Sequence, residues 1–120
     1  MPGKAAISLT TGLEDPEKVT VAFLVAVGAA ESDRPTTMFL TKEAVRLALT
    51  GVAIGTACDG CPPLASLLER YAAAGGTYLV CPICFNAKQL DESQLLPNAT
   101  LAGTVQLWEW IGDGATTFSY

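Results

Sequence analysis

The four cysteines are the residues of this chain with the most distinctive chemistry. They form two Cys-x-x-Cys pairs, Cys58/Cys61 and Cys81/Cys84, with 19 residues between them. The chain contains no histidine, which excludes Ser-His-Asp and Cys-His catalysis within it and every metal site that uses imidazole. The soft, nucleophilic or redox chemistry that remains available to this chain is therefore that of its four cysteines.

The spacing of the two pairs is typical of a four-cysteine zinc site. Tetrahedral zinc takes four thiolates, and each Cys-x-x-Cys turn can supply two of them. Zinc ribbons depend on their metal because they lack a hydrophobic core, whereas this chain is 50% hydrophobic and has the residues to form one. This difference weakens the zinc interpretation, but the cysteine spacing keeps it as one hypothesis. The protein would then be a non-enzymatic oligomeric binding module with a structural zinc site of Cys58, Cys61, Cys81 and Cys84.

A reactive thiol at Cys81 is the second hypothesis. Cys81 follows a predicted strand and precedes Pro82, a favoured first residue of a helix. A side chain at this N-cap position faces unpaired amides and the positive end of the helix dipole, and both stabilise a thiolate. Cys84 is close enough to act as a resolving thiol, or to form a redox-active dithiol with Cys81. In a purely structural alternative, both cysteines are small buried hydrophobic residues.

Length and charge narrow the class of protein. The 120 residues suffice for a single domain, 1–120, and a net charge of −5 argues against a nucleic-acid partner. The longest apolar run, Val19–Ala30, is too short for a bilayer, which needs about 20 residues, and the N-terminal residues do not resemble a signal peptide. We therefore expect a cytoplasmic protein without a membrane partner, with reduced thiols as the default.

Strand and helix signals alternate along the chain. The predicted strands are Ala5–Thr10, Thr36–Leu40, Thr77–Val80, Asn98–Ala102 and Ala115–Tyr120, with a further brief extended segment at Val52–Gly55. Helices are predicted from Asp15-Pro16 to Ala30, over Thr41–Leu49, from Pro62-Pro63 to Gly75, over Pro82–Lys88 and over Gly103–Ile111. This alternation predicts an α/β fold, a three-layer α/β/α sandwich with a mainly parallel sheet. Reactive groups in such sheets lie at the carboxyl edge, where we expect both cysteine pairs.

The segment around the second cysteine pair resembles a known family. The run Tyr78–Glu92, YLVCPICFNAKQLDE, is similar to the cysteine-bearing segment of DsrE/DsrF-like proteins, which include the TusD and DsrE subunits of bacterial sulfur relays. Thr10–Gly12, Ala99–Gly103 and the terminal strand Ala115–Tyr120 also resemble parts of that family. The chain departs from the family at Lys88-Gln89, where Arg-Gly is frequent, and in having the Cys58/Cys61 pair.

The resemblance implies a persulfide-transfer function and an oligomer. Cys81 matches the cysteine that carries sulfane sulfur in active members, so we expect a small sulfur carrier, a possible sulfurtransferase, with Cys84 modulating or resolving the persulfide. It would need sulfur donor and acceptor proteins and no cofactor. Family members assemble as trimers or hexamers, and the apolar helix near Val19–Ala30, with Trp108 and Trp110 on a late helix, independently predicts a homo-oligomer.

Overall fold

A five-stranded parallel sheet forms the centre of the molecule. The computed structural model describes residues 2–120. The strands are β1 Ala5–Leu9, β2 Thr36–Leu40, β3 Thr77–Val80, β4 Ala99–Leu101 and β5 Thr116–Ser119. Their order in the sheet is β4-β3-β2-β1-β5, and every neighbouring pair is parallel. All five predicted strands are confirmed, with ends that differ by one residue at most.

Four α-helices and two 3₁₀ helices connect the strands in the described chain. The α-helices are α1 Pro16–Glu31, α2 Leu64–Ala73, α3 Pro82–Ala87 and α4 Thr104–Ile111, and the 3₁₀ helices are Lys42–Ala48 and Glu92–Gln94. α1 begins as predicted, because the Asp15 side chain accepts a hydrogen bond from the Lys18 amide at 3.1 Å and Pro16 follows it. None of the described helices is both long and apolar enough to cross a membrane.

The predicted extended segment Val52–Gly55 is wrong. This stretch consists of consecutive turns, in which the Ile54 amide donates to the Gly51 carbonyl at 3.2 Å. Gly51 and Gly55 have φ values of +85° and +84°, a left-handed conformation that glycine adopts at little cost. The two glycines therefore favour turns over the extended backbone that the apolar residues between them suggested.

The two faces of the sheet are covered unequally. One face contributes Ile7, Met38 and Tyr78 to a core that α1 and α2 complete. α4 lies over the other face, where its Leu107 borders a groove beside Phe39. None of the α4 residues, all within the described chain, is buried. The three-layer α/β/α sandwich is confirmed, with one thick helical layer and one thin one.

Three aromatic rings occupy the middle of the thick layer. Phe23 of α1, Tyr71 of α2 and Tyr78 of β3 are almost fully buried, with ring centroids 5.1 to 6.2 Å apart. α1 nevertheless leaves Val21 and Leu24 42% and 45% exposed on its outer side. The outer side of this helix is therefore also apolar, and the chain itself leaves it partly exposed.

Candidate functional site

Cys81 lies where β3 ends and α3 begins. Its backbone amide donates to the Leu40 carbonyl at 3.0 Å, which extends the pairing between β2 and β3 by one residue. Cys81 is also the N-cap of α3, with Pro82 at the first helical position and the Phe85 amide donating to the Cys81 carbonyl at 3.0 Å. The predicted placement of Cys81 at the carboxyl edge of the sheet and at a helix N-cap is confirmed, but its side chain makes no capping hydrogen bond to the amides of α3.

The residues that follow the neighbouring strands lie at the same edge as Cys81. The Thr41 amide donates to the Leu9 carbonyl at 3.1 Å, and the Ala102 amide donates to the Val80 carbonyl at 3.0 Å. Because β3 lies between β2 and β4, Cys81 is flanked by the chain segments that leave those two strands. The carboxyl ends of parallel strands are where open α/β sheets bind ligands.

Cys84 shares α3 with Cys81. Both residues are free thiols, both are half-buried, and both pack against the hydrophobic core. Phe85 is 1% exposed and anchors the helix, whereas Ile83 is 80% exposed and points to solvent. The two thiols thus belong to a short helix that is fixed on one side and open on the other, so a reagent in solution has access to it.

Charged residues of the long 3₁₀ helix Lys42–Ala48 join it to α3. The Glu43 carboxylate lies 2.9 Å from the Arg46 guanidinium and 3.4 Å from the ammonium group of Lys88, the C-cap residue of α3. The hydrogen bond from Arg46, followed by the influence of Lys88, holds the pKa of Glu43 below its ordinary value. The ionised Glu43 side chain therefore ties the end of the cysteine helix to the segment that follows β2.

The loop after β1 reaches the same 3₁₀ helix through Gly12. A Cβ atom at Gly12 would lie 2.7 Å from the Glu43 carbonyl oxygen, a distance that real Cβ atoms essentially never show. Glycine at this position thus permits two backbone segments to meet directly. The segments after β1 and β2 therefore pack against each other, and Glu43 connects them to α3 through Lys88. These contacts of Glu43 were not predicted from the sequence.

Cys58 and Cys61 form a disulfide in the loop before α2. The expectation of reduced thiols therefore does not describe this pair. The Cys61 amide donates to the Cys58 carbonyl at 2.9 Å, and Gly60 between them has a φ of +76°. This tight turn brings the two Cα atoms to 5.1 Å, within the range that a disulfide requires.

The four cysteines do not meet at one point. Within residues 2–120, no group of three or more cysteine, aspartate or glutamate side chains is close enough to hold a metal ion. Two of the four sulfurs are bonded to each other, and the other two lie on α3. This arrangement does not supply the four thiolates that the zinc hypothesis requires.

Fold and site together define a class of protein: a small three-layer α/β domain with a free cysteine at the carboxyl edge of a parallel sheet. The sequence model that represents the DsrE/DsrF-like family matches residues 3–120, and the chain belongs to this family. The resemblance seen in the sequence is thereby confirmed over nearly the whole chain. No curated protein matches this sequence.

Solved structures with the same fold come from bacteria and an archaeon. The YchN protein of E. coli superimposes with a TM-score of 0.82 at 18% identity, covering 99% of this chain and 100% of its own. The protein of unknown function MTH1491 from Methanobacterium thermoautotrophicum has a TM-score of 0.70 at 10% identity, with 99% and 100% coverage. The conserved protein of unknown function BT1422 from Bacteroides thetaiotaomicron has a TM-score of 0.66 at 17% identity, with 98% and 94% coverage. At these identities the similarity shows the fold alone.

Proposed function

We propose that this protein is a sulfur carrier that accepts sulfane sulfur on Cys81 and passes it on as a persulfide. The observation that carries the proposal is the position of Cys81, a free and half-buried thiol at the carboxyl edge of β3 in a DsrE/DsrF-like chain. Family membership favours sulfur-relay chemistry, and Cys81 stands where the relay cysteine of the family is expected. No cofactor takes part in this transfer.

The transfer needs only thiol chemistry. The Cys81 thiolate attacks the outer sulfur of a donor persulfide, a sulfur–sulfur bond forms at Cys81, and the donor's own sulfur–sulfur bond breaks. The donor leaves as a thiolate that takes up a proton, so no external oxidant or reductant is consumed. An acceptor thiolate then attacks the outer sulfur on Cys81 and regenerates the starting thiolate.

Cys84 has a separate role in the proposal. It lies in the first turn of α3, three residues after Cys81. If the Cys84 thiolate attacks the inner sulfur of the Cys81 persulfide, a Cys81–Cys84 disulfide forms and hydrosulfide leaves. Cys84 therefore limits the lifetime of a persulfide that finds no acceptor.

The proposal includes the cellular setting of the carrier. Cys81 must be a reduced thiol before it can accept sulfur, and the cytoplasm keeps thiols reduced. Donor and acceptor proteins would dock on the open side of α3, where Ile83 is exposed. The carrier itself would be a homo-oligomer, because α1 and α4 leave apolar side chains exposed.

Persulfide loading of cysteine variants tests the function. Reduced, metal-free protein is treated with an organic persulfide, and intact mass is measured after removal of the donor. Wild type should gain one sulfur atom, Cys81→Ser should gain none, and Cys84→Ser should load and retain its sulfur longer. Cys58→Ser/Cys61→Ser, which removes the other pair and leaves no unpaired thiol there, is the matched control and should load like wild type.

Two results would contradict the proposal. One is equal sulfur gain in wild type and Cys81→Ser, because the persulfide would then form elsewhere. The other is one equivalent of zinc in the purified protein that each of the four cysteine substitutions releases, since all four sulfurs would then be metal ligands. Metal analysis of wild type and the variants measures this second result directly.

A further inference from the structure

The Cys58–Cys61 disulfide has no part in the proposed sulfur transfer. It lies in the turn before α2 and uses neither of the thiols of α3. Its cysteines are also absent from the described residues that pack against the hydrophobic core, whereas Cys81 and Cys84 are among them. The bond therefore joins two residues whose side chains the core does not need.

A stabilising role explains this disulfide poorly. The stabilisation that a cross-link gives by restricting the unfolded chain grows with the length of the loop it closes. This bond closes a loop with only Asp59 and Gly60 between its ends, and the turn is already held by the hydrogen bond from the Cys61 amide to the Cys58 carbonyl. A cross-link with so little structural effect is suited to being opened and closed.

Both sulfurs have hydrogen-bond acceptors that the reduced state could use. The Cys58 sulfur lies 3.7 Å from the Thr20 hydroxyl oxygen, and that hydroxyl donates its own proton to the Pro16 carbonyl at 2.7 Å. The Thr20 oxygen can therefore accept a hydrogen bond from a Cys58 thiol. The Cys61 sulfur lies 3.8 Å from the Asp59 carbonyl oxygen, which can accept from a Cys61 thiol in the same way. Reduction therefore leaves neither thiol without a partner.

The turn is also open to a second molecule. Asp59, Gly60 and the two prolines that follow Cys61 are exposed, and both cysteines are half-buried. Thiol–disulfide exchange requires a thiolate to reach one sulfur of the bond from outside, and surroundings of this kind allow that approach. Exposure, a short loop and hydrogen-bond acceptors for the reduced thiols all favour a bond that opens and closes.

We propose that Cys58 and Cys61 form a second, independent redox site that exchanges electrons with external dithiols. A thiolate of the external dithiol attacks one sulfur of the pair, and the other sulfur leaves as a thiolate and takes up a proton. The second thiol of the dithiol then attacks the mixed disulfide and releases the remaining cysteine. In total, the pair gains two electrons and two protons, and the dithiol becomes a disulfide.

Redox titration of a variant that lacks the other two cysteines tests this inference. Cys81→Ser/Cys84→Ser protein is equilibrated with mixtures of reduced and oxidised dithiothreitol, alkylated, and analysed by mass and peptide mapping. We expect a reversible two-electron transition from no labels to two labels on the peptide that holds Cys58 and Cys61. When Cys58→Ser or Cys61→Ser is added to this double variant, the one remaining cysteine should instead take up one glutathione from glutathione disulfide.

Three results would overturn the inference. They are full labelling of both thiols at every redox ratio, a bond that reduced dithiothreitol opens only after unfolding, and a loss of the fold in Cys58→Ser/Cys61→Ser, monitored by circular dichroism. Opening of the bond only after unfolding, or loss of the fold without it, would show that the bond has a structural role. Persulfide loading of Cys58→Ser/Cys61→Ser separates the two sites, because it should stay at the wild-type level whichever way the titration falls.

Discussion

At the scale of single residues, two buried tyrosines differ in one respect that can be measured. The Tyr71 hydroxyl donates to the Thr77 carbonyl at 2.6 Å, whereas the Tyr78 hydroxyl has no hydrogen-bond partner among the described residues. Tyr71→Phe should therefore lower the free energy of unfolding by about 1 kcal/mol, the usual contribution of one hydrogen bond. Tyr78→Phe should leave it unchanged or raise it, because a buried unpaired hydroxyl is lost. Denaturant unfolding compares the two, and an equal loss in both variants would contradict this account.

The same tyrosines determine how stability responds to alkaline pH. Burial raises the pKa of Tyr71, with a further contribution from Tyr78, and burial alone raises the pKa of Tyr78. Unfolded phenols ionise near pH 10, so above that pH the unfolded chain loses protons that the folded chain keeps. The free energy of unfolding should be independent of these groups below pH 10 and fall above it, by at most about 1.4 kcal/mol per pH unit for each tyrosine. Tyr71→Phe and Tyr78→Phe should each reduce this slope, while Tyr120→Phe, the control, should leave the contribution of both buried phenols in place.

Two glycines show how local space decides the sign of a substitution. A Cβ atom at Gly76 would overlap the ring of Tyr71, whereas one at Gly28, on an exposed turn of α1, would meet nothing within 4 Å. Gly76→Ala should therefore destabilise the protein by about 1–3 kcal/mol through overpacking. Gly28→Ala should stabilise it by about 0.5–1 kcal/mol, because alanine favours a helix interior. Thermal unfolding of both variants gives the comparison, and a shift in the same direction for both would be inconsistent with this structure.

At the scale of the element, the start of α1 rests on one side chain. The Asp15 carboxylate accepts a hydrogen bond from the Lys18 amide, which the helix itself leaves unpaired. Asp15→Ala should lower the free energy of unfolding by about 1 kcal/mol, whereas Asp15→Asn, which keeps an acceptor at the N-cap, should lower it much less. Chemical denaturation measures both variants. Equal losses would indicate that the charge, and not the acceptor, stabilises this end of the helix.

Elements with strong local signals were predictable from the sequence, and contacts between distant segments were not. The Asp15-Pro16 start of α1, the strands and the Cys81-Pro82 step depend on residues that adjoin one another in sequence. The apolar residues of Val52–Gly55 predict an extended segment, but the chain turns there because Gly51 and Gly55 adopt left-handed conformations. The pairing of Glu43 with Lys88 joins two helices that only the folded sheet brings together, so no local pattern could show it.

The candidate site also has a part that the sequence predicts and a part that it does not. The position of Cys81 follows from the strand-to-helix transition, which the sequence displays directly. The disulfide of Cys58 and Cys61 depends on the turn at Gly60, and the spacing of the pair was equally compatible with zinc. Which of the two chemistries a Cys-x-x-Cys turn supports is decided by whether a second pair of sulfurs lies within reach, and that is a property of the tertiary structure.

At the scale of the whole molecule, apolar surface remains on both helical layers. Trp108 and Val105 of α4 are 69% and 64% exposed, and Leu24 of α1 is 45% exposed. On the face of the sheet that α4 covers, its exposed Trp108 borders the groove over Phe39. A patch of this kind on a small domain is typical of a surface that another protein covers. We propose that a second copy of this chain covers it and that the protein is a homo-oligomer, for which the family resemblance favours a trimer or a multiple of one.

A charge placed in this patch should therefore dissociate the oligomer. Trp108→Glu puts an unpaired carboxylate where an apolar contact is expected, and burial of such a charge is costly. Light scattering at micromolar concentration should give a multiple of 12.5 kDa for wild type and a shift toward the monomer for Trp108→Glu. Ser66→Glu adds the same charge on the exposed side of α2 and should leave the mass unchanged. A wild-type mass of one chain would contradict the assembly itself, and an unchanged mass in Trp108→Glu would show that Trp108 lies outside the interface.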